Sequence, residues 1–142
     1  MAGPRCSVQC VLSLPVRLWE QVVAHCLDGL PLEACGLLAG RGGDVYEVYP
    51  TANAARSARL YTVEPRDLLR ADRAAEAAGM SLIGVWHSHT HTAAYPSPTD
   101  ISQAPDPDWH YVLVSLSDAE PVLRSYRILG SRPDEEPVVT PS

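Results

Sequence analysis

The chain has 142 residues, a formal net charge of −6, 46% hydrophobic and 20% charged residues, the make-up of one globular domain with an ordinary core. Its eleven basic residues are all arginine and are scattered, which excludes the basic stripe of a nucleic-acid binder and the basic amphipathic helix of a membrane-surface protein. No apolar run approaches the ~20 residues that span a bilayer, and the apolar stretch 8–16 is broken by Gln9, Cys10, Ser13 and Pro15 with no small-residue cleavage site behind it, so a cytoplasmic protein without a leader is expected.

The first strand is predicted over residues 7–14. Pro15 suits the first turn of a helix, which Leu18, Val22, Cys26 and Leu30 continue at helical spacing and Gly29 and Pro31 stop. Residues 33–39 are a short apolar run, read as a buried strand. Gly40 to Gly43 make a turn, and residues 45–49 alternate as a strand does, so the two runs form a hairpin. A further strand is predicted over residues 59–63. A second helix over residues 65–78 carries Leu68, Ala71, Ala75 and Ala78 on one face, with Gly79 as its stop. The run 81–86 suits a strand buried on both faces and ends at His87. Residues 109–116 and 122–129 are two more strands. The domain is placed at residues 1–130. The Pro- and acid-rich stretch 131–142 is expected as a C-terminal tail, a loose end in which Val138 and Val139 add a short edge strand. Strands mixed with two covering helices make an α/β sandwich. Cys6, Cys10, Cys26 and Cys35 form no C-x-x-C pair and read as reduced, mostly buried thiols.

The stretch that carries chemistry runs from Val85 to Asp100. His87 and His89 stand at i and i+2, and can point at one centre once the chain leaves its strand. Neutral imidazole is the commonest protein ligand for zinc. Asp100 returns after a gap of ten residues to close a three-ligand set, which leaves a fourth position for water as in catalytic sites. Ser97-Pro98-Thr99-Asp100 is also a capping box with proline at the first helical position. The two readings are compatible, since a short helix starting at Ser97 would face Asp100 toward the histidines.

This combination resembles the JAMM motif of the MPN-type (Mov34/Pad1) metallopeptidases. His87-Ser88-His89, Ser97 and Asp100 match every downstream position of that motif, and Glu33-Ala34-Cys35-Gly36-Leu37-Leu38 matches its upstream E-x-C-G-L-L run. The resemblance implies a JAMM/MPN fold similar to cytidine deaminase, with a mixed central sheet, two main flanking helices and a short helix at the metal site. It implies one zinc ion per chain on His87, His89 and Asp100. Glu33 would take the proton of the attacking water and pass it to the leaving amine, while Ser97 would donate to the developing oxyanion. Asn53, Thr90 and Tyr95 are candidate substrate contacts.

Residues 87–90, 94–97, 110–115 and 124–128 further resemble a bacterial subgroup that hydrolyses sulfur-carrier-protein–cysteine adducts. That likeness implies a ubiquitin-like carrier ending in Gly-Gly, cut after the second glycine with release of cysteine or a short peptide. A homodimer is compatible with the sequence. An isopeptidase that frees ubiquitin-like proteins from lysine is the alternative, and a non-catalytic MPN scaffold is a third reading. A nucleobase deaminase needs H-x-E and P-C-x-x-C, which are absent. A metallo-β-lactamase type needs H-x-H-x-D-H, where this chain has His91 and no aspartate beside it.

Overall fold

A computed structural model describes residues 11–142. It holds eight strands and three helices: β1 (Leu12–Ser13), α1 (Val16–Asp28), β2 (Cys35–Arg41), β3 (Asp44–Thr51), α2 (Pro65–Ala77), β4 (Ser81–His89), α3 (Pro98–Ser102), β5 (His110–Ser115), β6 (Val122–Leu129), β7 (Arg132–Glu136) and β8 (Val138–Val139). The strand order is β7-β6-β5-β4-β2-β3-β1-β8. The pair β4–β5 is parallel, as are β1–β3 and β1–β8, while the others are antiparallel. This is the α/β fold with a mixed central sheet expected from the sequence.

Alternation along β4 sorts its side chains onto two faces. Trp86 and Ser88 point toward α1, where Leu18, Val22 and Cys26 complete one core with Val112 and Val114. Val85 belongs to the second core, under α2, with Cys35, Leu37, Tyr111 and Ala71. Gly36 sits directly opposite Trp86. A Cβ there would stand 2.2 Å from the indole ring, so only glycine lets the ring lie across β2.

The C-terminal stretch is paired rather than loose, and the short edge strand expected at Val138 and Val139 is present. Its residues 132–136 pair with β6, and Val138 and Val139 pair with β1 at the opposite edge of the strand order. Pro137 alone joins the two strands, so the sheet must curl around α1 until its edges meet. The Leu12 N–H donates to the Pro137 carbonyl at 3.0 Å. Glu136 anchors this closure from a buried position: His110 Nδ1 and Ser125 Oγ each donate to its Oε2 at 2.6 Å, and Arg127 Nη1 stands 3.9 Å from its Oε1. Removing one partner of a buried charged cluster typically costs ~3–5 kcal/mol. Glu136→Ala should therefore lose about 3 kcal/mol in urea unfolding of the metal-free protein, and a loss below ~1 kcal/mol would show that the anchor is dispensable.

Two other expectations differ from the structure. The first strand is described only at Leu12–Ser13, and residues 7–10 of its predicted span lie outside the described residues. Residues 59–63 form no strand, only an isolated bridge from Val63 to Asn53. The reason is the Asn53 side chain, whose Oδ1 accepts from Ala55 N and Thr62 N while its Nδ2 donates to the carbonyls of Leu60 and Glu33. Backbone groups that a neighbouring strand would pair are thus satisfied by one amide. Of the residues expected on one face of α2, Ala71 and Ala75 are buried, Leu68 is exposed, and Ala78 is the exposed C-cap. The helix does stop where expected, with Gly79 at φ +76°.

Candidate metal centre

The strand β4 runs on through both histidines rather than ending before them. His87 and His89 therefore share a face because a strand repeats every second residue, with no bend required. The third side chain comes from α3. Ser97 Oγ accepts from the Asp100 N–H at 3.0 Å and the Ser97 N–H donates to Asp100 Oδ2 at 2.9 Å, so the capping box and the ligand reading are one geometry.

The three side chains converge on a common point. His87 Nε2 and His89 Nε2 are 3.2 Å apart, and they stand 3.1 and 2.9 Å from Asp100 Oδ2. Tetrahedral ligands at zinc distances stand about 3.3 Å from one another. His89 Nδ1 lies 2.8 Å from the Ala93 carbonyl. A carbonyl only accepts, so that nitrogen carries a proton, and neutral His89 turns the Nε2 lone pair toward Asp100 Oδ2. Two acceptors face each other at 2.9 Å, which calls for a cation between them. The residues present thus fit a divalent metal, and His87, His89 and Asp100 form a buried group able to hold one.

The electrostatics agree. Burial pushes the His87 pKa down despite its bond to Asp100, which keeps the ring neutral as a ligand must be. Burial pushes the Asp100 carboxyl up, but hydrogen bonds from His87 and His89 outweigh it and hold it well below the usual carboxylate range. For His89, burial opposes protonation, yet the bonds to Asp100 and to the Ala93 carbonyl raise its pKa. In the metal-free site a proton on His89 takes the cation's place.

Glu33 lies on the segment leading into β2 and is 5% exposed. Ser88, between the two histidines, accepts from the Ala34 N–H at 2.8 Å and donates its own N–H to the Ala34 carbonyl at 2.9 Å. It locks the neighbour of Glu33 to the ligand strand. Burial pushes the Glu33 carboxyl up to about 7, with His89 opposing and Asp100 adding to the shift. Its Oε1 is buried with no hydrogen-bond partner among the described residues, as suits a group waiting for a proton. Cys35, two residues on, is pushed up by burial and is a poor thiolate.

The lesser candidates separate. Asn53 organises the loop 53–62 and holds the Glu33 carbonyl at 2.9 Å. Thr90 is buried and donates to the Ala58 carbonyl at 3.2 Å, tying that loop to the end of β4. Tyr95 is 56% exposed, with its ring set edge-on to Tyr126 at 5.6 Å. The Ser97 hydroxyl uses a lone pair in capping, which leaves its hydrogen to donate. His91 is exposed.

Three residues escaped sequence reasoning. The ring of Tyr61 stacks on His87 at 4.1 Å. Ser115 Oγ donates to the Thr92 carbonyl at 2.6 Å and Tyr126 Oη to the Ala94 carbonyl at 2.5 Å. With His89, they pin three successive carbonyls of the loop that leads to Ser97. Ser115 and Tyr126 fall in the stretches that carry the likeness to carrier hydrolases, but nothing in one dimension marks their hydroxyls as loop anchors.

Comparison with known proteins gives concordant results. Residues 15–129 match the family model of prokaryotic homologs of the JAB domain. A CysO-cysteine peptidase of Mycobacterium tuberculosis is 45% identical over 131 residues, 90% of each chain. The solution structure of a Desulfitobacterium hafniense protein is 36% identical, with a TM-score of 0.83 over 91% of this chain and 92% of that one. A JAB1/MPN domain protein from Archaeoglobus fulgidus is 18% identical and shares the fold, with a TM-score of 0.59 over 91% and 98% of the two chains.

Proposed function

The chain belongs to the prokaryotic JAB-domain family of JAMM metallopeptidases, and from that premise we propose that it cuts the amide bond after the C-terminal Gly-Gly of a ubiquitin-like sulfur carrier, releasing cysteine. The observation that carries the chemistry is the convergence of His87, His89 and Asp100 beside the buried carboxylate of Glu33. The substrate class rests on the likeness to the mycobacterial CysO-cysteine peptidase.

Zinc is the ion that two imidazoles and one carboxylate suit; when bound it acidifies water and polarises a carbonyl. Glu33 takes the proton of the water that attacks the second glycine's carbonyl carbon. As the C–N bond breaks, Glu33 returns that proton to the cysteine nitrogen, leaving carrier carboxylate and free amine. Ser97 donates its hydroxyl hydrogen to the carbonyl oxygen as charge gathers there, an interaction worth roughly 3 kcal/mol in comparable sites. Loop 90–96, anchored by Ser115 and Tyr126, holds His89 and Ser97 in register. Buried thiols at Cys26 and Cys35 suit a reducing, cytoplasmic setting.

The test is to incubate the zinc-loaded enzyme with a carrier ending in Gly-Gly-Cys and with one ending in Ala-Ala-Cys, following mass. The first should lose cysteine at least ~100-fold faster, because side chains at those two positions displace the scissile bond from its attack geometry. Equal cleavage of both would contradict the reading.

A further inference from the structure

The ligand strand continues past the metal centre into a cavity. One row across the sheet is Cys35–His87–Leu113, and the next row on the same face is Leu37–Val85–Tyr111. That second row floors a cavity of about 460 Å³, walled by Tyr61, Leu68 and Trp109. Tyr61 belongs to both places, since its ring stacks on His87 at 4.1 Å and also walls the cavity. A second hollow of about 480 Å³ shares Leu68 and Trp109 and carries the apolar lining outward to Leu69 and Leu82. Leu68 and Leu69 are 38% and 51% exposed, and such apolar surface beside a catalytic centre marks a binding site.

We propose that this cavity is the subsite for an apolar side chain on the carrier tail, one or two residues ahead of Gly-Gly. The inference rests on the carrier-hydrolase reading above and adds what that reading leaves unspecified. Two residues of extended chain span about 7 Å, and same-face rows of a sheet have the same separation. With the scissile carbonyl at His87, the two glycines span the step from the His87 row to the Val85 row, past the Tyr61 ring. The first side chains of the tail then arrive over Val85. The occupant belongs to the carrier rather than to the released group. Free cysteine carries an ammonium and a carboxylate; the lining is mainly apolar, and its one charged residue, Asp106, repels the carboxylate, which would lie there unpaired.

The test uses carrier adducts ending in Gly-Gly-Cys with Leu, Ala or Asp at each of the two preceding positions. At one of these positions Leu should raise kcat/KM by about tenfold or more over Ala and Asp, chiefly through KM. Leu68→Glu places a charge in the wall from an exposed helix position. It should abolish the preference for Leu while zinc content and the thermal midpoint stay at wild-type values. Equal cleavage of all tails, or a preference for Leu that survives Leu68→Glu, would overturn the subsite. Failure of the wild-type enzyme to cut any Gly-Gly adduct would instead overturn the hydrolase reading beneath it.

Discussion

Glu33→Gln should retain zinc and fold but lose roughly 10²–10⁴-fold in kcat, the usual cost of removing a general acid–base. The amide is nearly isosteric with the carboxylate and sits outside the ligand set, so metal content measured by elemental analysis should match the wild type. Activity within a few-fold of wild type would assign the proton transfer to another group. The same residue sets a titration. In the metal-free protein burial raises the Glu33 carboxyl from 4.5 to about 7. The native state then holds this proton more tightly than the unfolded state does. The resulting stabilisation is complete below about pH 4.5 and is lost as pH rises through about 7. Asp100 works with the opposite sign: its depressed pKa gives stability above its unfolded pKa that is lost on acidification. A cation bound beside Glu33 favours its charged form. The carboxyl carbon resonance of Glu33 should therefore titrate near 7 without metal and at lower pH with zinc. An ordinary carboxylate titration in the metal-free protein would contradict the burial argument.

The second large effect is on the metal itself. His89→Ala should hold less than about a tenth of an equivalent of zinc and show no measurable hydrolysis, since two remaining ligands make a weak site. Asp100→Asn tests the charge of the third side chain while keeping its cap. Its amide oxygen can still accept from the Ser97 N–H, preserving the cap seen at 2.9 Å, but it brings no charge to the ion. Zinc affinity should fall at least ~10-fold, and the metal-free protein should lose the stability that the Asp100 carboxylate draws from His87 and His89. Full zinc occupancy in His89→Ala would remove the ligand assignment.

Which features were legible follows from the range of the interactions behind them. His87 and His89 share a face because of the two-residue repeat of a strand, and Asp100 is aimed by a four-residue cap. Both are local, so spacing alone exposes them. Glu33 reaches the site through Ala34 and Ser88, which bond across 54 residues of sequence. Only the family motif could link them. The 59–63 stretch looked like a strand because apolar residues occur in it, and the Asn53 side chain took the hydrogen bonds that a strand partner would need. The C-terminal stretch looked loose because proline and acids dominate its composition. Its structure comes from sheet closure and from burial of Glu136 against His110 and Ser125, both long-range. Tyr61 carries no signal, because stacking on His87 depends on how the 53–63 loop returns.

The central claim is that one metal ion at His87, His89 and Asp100 makes this chain a hydrolase of carrier adducts. The measurement that bears on it most directly is a zinc titration of the metal-free enzyme against a Gly-Gly-Cys carrier, with the released cysteine followed by mass. The rate should rise linearly from zero and level off at about one equivalent of zinc per chain, the capacity of a single three-ligand site. A full rate in the metal-free enzyme, or a rate that ignores added zinc, would contradict the account.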